Sequence, residues 1–127
     1  MPQTTQLVLT LLSRPGVLAK VTHALAEAGV NITALCAGDA AGRGKLRILV
    51  NNPGKARRAL RAAGFRAAEE PAFVIRMRNR PGTLARVAER VAQARINIKS
   101  AYATTAGGSA AVVMTVSSPS RAKRVLR

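Results

Sequence analysis

Two short stretches of the chain carry residues that could hold a small charged ligand. Asn79-Arg-Pro-Gly82 and Ser13-Arg-Pro-Gly16 each stand just ahead of an apolar pattern with helical spacing. Proline fixes the backbone there, and glycine lets a ligand approach the main chain. The helix starts that follow, Thr83-Leu84 and Val17-Leu18, offer backbone N–H groups with no partner inside the helix, a setting suited to a carboxylate. Asn31 and Asn97 each open the strand after such a helix. A carboxamide donates to a carboxylate and accepts from an ammonium group. Those are the two charged groups of a free amino acid. The same residues also suit a tight strand-to-helix turn and a local Asn turn with no ligand, and local pattern alone favours that plainer use.

Catalytic chemistry has little to work with. The chain has one histidine, His23, one cysteine, Cys36, and five scattered carboxylates. His23 falls on the solvent side of a helical pattern with no partner ligands, so neither a metal nor a catalytic role is expected. Cys36 lies within a strand with no evident base and reads as a packing thiol. Gly42-Arg-Gly44-Lys45 lacks the spacing of a phosphate loop and reads as a hairpin turn. No catalytic residue and no cofactor is expected.

The elements that must position these residues occur twice. From Ser13 to Asn79 runs an offset of 66 residues, and it holds without insertion along the chain. Leu46, Ile48 and Val50 face Val112, Met114 and Val116, and Pro53 faces Pro119. This is one supersecondary unit written twice, with boundaries expected at 1–71 and 72–127. Alternation at Leu7, Leu9 and Leu11, and again at Phe73, Ile75 and Met77, predicts half-buried strands. Leu18, Val21, Leu25 and Ala28 form a helical stripe, repeated as Leu84, Val87, Val91 and Ala94. Lys20, His23 and Glu27 face the other way. Gly29 suits a left-handed helix stop. A second strand is predicted over 30–36, a glycine-rich turn over 38–44 and a third strand over 45–50. A proline-started helix ending at Gly64 follows, then a fourth strand over 65–70. The order βαββαβ is the ferredoxin-like one, an α+β antiparallel sheet with both helices on one face. In the second unit the sequence after the second helix supplies no fourth strand. The strand at 73–78 is therefore expected to be open on one side and to invite pairing with a second copy.

The frame Arg-Pro-Gly-x-Leu-Ala-x-Val, about ten residues, then Asn-Ile, resembles the signature of ACT domains, small regulatory modules that bind amino acids. The resemblance covers nearly the whole chain as two copies, and Asn31 to Cys36 and Asn97-Ile98 with Tyr102 resemble small stand-alone tandem ACT proteins. It implies two tandem ferredoxin-like units and ligand sensing without catalysis. In the serine-binding ACT domains of phosphoglycerate dehydrogenase, an Asn before Arg-Pro-Gly and the Asn of Asn-Ile contact the ligand. Asn79 and Asn97 match both positions; Asn31 matches in the first unit, where Ser13 replaces the loop Asn. The resemblance thus points to a small amino acid between Asn79, Gly82, Thr83 and Leu84 and the opposed Asn31. A weaker mirror site would combine Ser13, Gly16, Val17 and Leu18 with Asn97.

Composition sets the remaining expectations. Hydrophobic residues make up 48% and aromatics 2%, so the core must be built from Ala, Val, Leu and Ile. The formal charge of +16 is spread along the chain and speaks to partners more than to fold. A basic helix face at Arg57, Arg58 and Arg61 keeps two alternatives open, a nucleic-acid-binding protein or a regulatory subunit docking on an acidic enzyme. Nucleic acid is the less favoured partner, because RNA-binding sheets of this topology stack bases on aromatic residues that are scarce here. With no signal segment, no membrane span and no second cysteine, a cytoplasmic protein is expected, and the open strand at 73–78 with two small aromatic-poor sheets predicts a homodimer.

Overall fold

Ten elements follow, one fewer than the repeat predicts, because two expected strands are fused. They are β1 (Gln3–Leu12), α1 (Val17–Glu27), β2 (Ile32–Ala40), β3 (Arg43–Val50), α2 (Pro53–Ala62), β4 (Ala68–Arg78), α3 (Thr83–Gln93), β5 (Ile98–Ala106), β6 (Ser109–Val116) and α4 (Pro119–Val125). The structure, a computed structural model, describes residues 3–40 and 42–126. No helix among them is long and apolar enough to cross a membrane.

Two compact units emerge, one over Thr5–Glu70 and the other from Pro71 onward together with Gln3 and Thr4. The first has the strand order β2-β3-β1 followed by the head of β4, residues 68–70. Its antiparallel register sets Leu7 opposite Ile48 and Leu9 opposite Leu46. Those four residues pack against Val21 and Leu25 of α1 and Ala56 and Leu60 of α2. The second unit has the order β5-β6-β4, with Phe73 opposite Met114 and Ile75 opposite Val112. They pack against Val87 and Val91 of α3 and against Ala122 and Leu126. Each core is a single layer of mostly aliphatic side chains between sheet and helix pair; Phe73 is fully buried in the second, and Phe65 packs half-buried against the first. Two α+β units of tandem ferredoxin-like type are therefore present, and no strand follows α4 among the described residues.

Several details depart from the sequence reading. The glycine-rich turn is shorter than expected, because β2 runs on to Ala40 and β3 begins at Arg43, which makes Gly38 and Gly44 strand residues. The fourth strand starts at Ala68 and runs without a break into the strand at 73–78, so the two predicted strands are one, β4. Its acidic head makes side-chain contacts to the first unit: Glu69 Oε1 accepts from Arg57 Nη1 at 2.6 Å, and Glu70 Oε1 accepts from Gln6 Nε2 at 2.7 Å. The helix starts keep their places at Val17 and Thr83, but not the cap that the loop pattern suggests, a Ser or Asn followed by proline. Gly16 and Gly82 are the N-cap residues of α1 and α3, at φ 87° and 88°, and neither helix has a side-chain cap. Proline thus precedes the cap in these loops, whereas Pro53 and Pro119 do begin their helices. Finally, β4 is not left open in the way expected. Gln3 and Thr4, at the head of β1, belong to the second unit and lie next to β4 in its strand order.

Candidate functional site

The two Arg-Pro-Gly loops owe their shape to glycine. At φ near +88° the backbone of Gly16 and Gly82 is left-handed, a conformation that lets the chain turn from strand into helix within four residues. Val17 N–H then donates to Arg14 O and Thr83 N–H to Arg80 O, both at 3.3 Å. One of the backbone donors expected at each loop is thereby already engaged. The loop roots are tied to the neighbouring hairpins, Ser13 N–H to Gly42 O and Asn79 N–H to Gly108 O, each at 2.9 Å. Asn79 Nδ2 makes a long contact to Gly107 O, 3.4 Å, and the side chain is otherwise exposed. Thr83 Oγ1 is buried without a hydrogen-bond partner. Leu18 and Leu84, predicted to face the core, are instead 45% and 46% exposed beside these loops.

Asn31 and Asn97 are held by their backbones. Asn31 N–H donates to Asn51 Oδ1 at 3.0 Å while its carbonyl accepts from Asn51 N–H at 3.1 Å. Asn97 N–H donates to Ser117 Oγ at 3.0 Å, and its carbonyl accepts from Ser117 N–H at 2.9 Å. Both residues are exposed, and neither side-chain amide enters a hydrogen bond among the described residues. Within one unit the loop and the Asn stand at opposite ends of an 11-residue helix. At about 1.5 Å per residue the separation is roughly 16 Å, well beyond the span of an amino acid. The structure therefore brings Ser13, Val17 and Leu18 together, and Asn79 with Gly82 to Leu84, but joins neither set to the Asn of its own unit.

The first unit also carries a groove that the sequence reading missed. It has a volume of about 230 Å³ and lies between the end of β1, the start of α1 and the β2–β3 hairpin. Leu11, Leu12, Val17, Leu18, Ala37 and Leu46 are its apolar lining, and Ser13, Arg14, Asp39 and Lys45 also line it. Asp39, Arg14 and Lys45 form no ion pair among the described residues. The repeat held a clue to this groove. At the same offset Asp39 and Lys45 meet Thr105 and Ala111, so the charges are particular to the first unit.

Other candidate chemistry falls away. His23 Nε2 lies 3.0 Å from Glu27 Oε1 on the open face of α1, each side chain more than 70% exposed. Cys36 is half-buried on β2. No group of three metal-ligating side chains comes together among the described residues.

Known proteins agree with this architecture. No curated protein matches the chain. Among solved structures, protein BT0572 from Bacteroides thetaiotaomicron is 31% identical with a TM-score of 0.92, over 98% of this chain and 86% of that one. The ligand-free regulatory subunit of aspartate kinase from Thermus thermophilus is 21% identical with a TM-score of 0.75, over 100% and 94%. The regulatory subunit of aspartate kinase from Thermus flavus is 21% identical with a TM-score of 0.68, over 98% and 88%. At 21% identity these last two likenesses establish the fold. The family described as the ACT domain pair matches residues 3–127, no catalytic family is indicated, and the chain accordingly belongs to the ACT domain pair family.

Proposed function

We propose that the chain is a non-catalytic regulatory module that binds a small polar amino acid between its two units and transmits that binding to a partner enzyme. The observation that carries this reading is the pair of glycine-shaped loops, each set about 16 Å from the Asn of its own unit. A ligand that uses both kinds of group needs a loop from one unit and an Asn from the other. The Asn79–Gly82 loop with Asn31 would form the stronger site, the Asn79 and Asn31 amides sharing the carboxylate and the ammonium. The Ser13–Leu18 loop with Asn97 would form the weaker one, because serine cannot present both a carbonyl and an NH₂. A regulatory role is supported by the likeness to two aspartate kinase regulatory subunits. A thermal-shift screen across the twenty amino acids finds the ligand through its stabilisation of the folded chain. Calorimetry then tests the site. Asn79→Ala should weaken the tighter event about ten- to hundredfold, and Ser13→Asn should strengthen the weaker one. If no amino acid gives heat at millimolar concentration, the sensing role is wrong.

A second reading has its own observation. Glu69 occupies Arg57, which leaves Arg58, Arg61 and Arg66 around α2 with no ion pair among the described residues. Such a face suits an acidic partner enzyme. Salt-sensitive co-purification of an enzyme supports it, whereas salt-sensitive retention of RNA would support a nucleic-acid role instead.

A further inference from the structure

We propose that a basic pocket at the C-terminal end of α2 is a site for the polyphosphate group of a small molecule such as a nucleoside triphosphate. The inference goes beyond the amino-acid site and lies wholly within the first unit. The pocket has a volume of about 370 Å³, within the range of small-molecule sites, and is lined by Arg57, Arg61, Gly64, Phe65, Arg66 and Ala67. A guanidinium presents a planar fork of N–H donors that matches phosphate oxygens, and it is more weakly hydrated than an ammonium. Arg61 and Arg66 form no ion pair among the described residues. A free amino acid would find no carboxylate for its ammonium group among the lining residues, which separates this pocket from the site of the sensing role.

Local structure favours an anion there. Arg57 and Arg61 are four residues apart on α2 and so share one face of the helix. The C-terminal end of a helix is its negative pole, which by itself would repel an anion. Here the last carbonyls are already taken. Ala63 N–H donates to Ala59 O at 3.2 Å, Gly64 N–H to Arg61 O at 3.0 Å and Phe65 N–H to Leu60 O at 2.8 Å. Arg61 adds a cation in that same last turn. A Cβ at Gly64 would meet nothing within 4 Å, so the backbone leaves open space at this point of the lining. Phe65 packs half-buried against the first core and also lines the pocket, an anchored ring on which a planar base can stack. Arg57 donates to Glu69 at 2.6 Å, with the two side chains 49% and 41% exposed. An ion pair so exposed to water is weak, and a triphosphate, with several charges against one, competes for it.

Calorimetry on the full chain tests the pocket with two probes, ATP and inorganic tripolyphosphate, at about 150 mM sodium chloride, where attraction to distant surface charge is largely screened. Both should bind at one molecule per chain. Arg61→Ala and Arg66→Ala should each weaken both probes about tenfold, the loss of one charge-assisted contact. Glu69→Gln should strengthen both, because it frees Arg57. Arg58→Ala is the control. It removes the same charge from the same helix, but Arg58 does not line the pocket, and its Nη1 lies 3.6 Å from where a side chain at Gly54 would begin, in the first turn of α2. Both affinities should survive that change. ATP binding more tightly than tripolyphosphate places the base on Phe65, and equal affinity assigns the pocket to the polyphosphate alone; either upholds the inference. No heat from either probe at millimolar concentration overturns it. So does a loss on Arg58→Ala as large as that on Arg61→Ala, or binding of several probe molecules per chain, since both mean attraction to the net charge and not to a pocket.

Discussion

Arg95 shows what one residue costs when a repeat diverges. It sits one position past the C-cap of α3 at φ 57°, where Gly29 sits after α1 at φ 72°. Both stops are closed by the same pair of bonds. Ile96 N–H donates to Val91 O at 3.1 Å and Arg95 N–H to Ala92 O at 2.9 Å; Val30 and Gly29 do likewise after α1. A side chain in the left-handed region costs about 1 kcal/mol. Arg95→Gly should therefore stabilise the protein by up to about 1 kcal/mol, partly offset by the greater freedom of glycine in the unfolded chain. The converse change, Gly29→Ala, should destabilise by about 1 kcal/mol. A Cβ at Gly29 would meet only Lys55 Nζ at 3.7 Å, so the cost is one of backbone and not of crowding. Urea denaturation of the two variants checks both signs. Gly29 was legible in the sequence because glycine itself is the signal. At Arg95 that signal is missing, and only the 66-residue offset aligns it with Gly29.

Helix starts carry the contrast at the scale of elements. Asn52 caps α2 by accepting from Lys55 N–H at 3.1 Å. Its counterpart Ser118 makes no side-chain cap bond to α4. Asn52→Ala should thus cost about 1 kcal/mol, and Ser118→Ala less than about 0.5 kcal/mol, measured by chemical denaturation. At the other end α3 and α4 are fastened to each other, since Arg90 Nη2 donates to Val125 O and Arg121 Nη2 to Ala94 O. Arginine at those positions serves helix ends as well as surface charge. Core helical positions divide as sharply. Leu25 is fully buried, and Leu25→Ala should cost about 2–5 kcal/mol. Leu18→Ala, at a position 45% exposed, should cost less than about 0.5 kcal/mol. Periodicity placed both leucines on one stripe. It could not tell that Leu18, in the first turn of α1, stays 45% exposed while Val21 and Leu25 are fully buried. The groove was hidden as well. Leu11, Leu12, Ala37 and Leu46 come together only through strand register, in which Leu11 opposes Gly44 and Ala37 opposes Leu46.

At the scale of the molecule, charge and the head of β1 set the expectations. A net charge of +16 on a chain of 127 residues opposes compaction through self-repulsion. Raising sodium chloride from about 20 to 300 mM shortens the screening length to well under 10 Å, and the melting temperature should rise with it. A fall would mean that specific ion pairs outweigh repulsion. The second prediction concerns self-association. Sequence reasoning looked only for a fourth strand after α4, and so expected β4 to be open to a second copy. It could not see that Gln3 and Thr4, about 70 residues earlier in the chain, belong to the second unit. Removing the residues before Thr5 should expose the flank of β4 beside which Gln3 and Thr4 lie. Unpaired N–H and C=O groups along a strand carrying Phe73 and Ile75 invite another chain. The truncated protein should be less stable than the full chain, and it should gain mass with concentration in light scattering. The full chain should not show that gain through β4. An unchanged mass and an unchanged melting temperature after truncation would mean that Gln3 and Thr4 contribute nothing to the second unit, and that its sheet is complete in three strands.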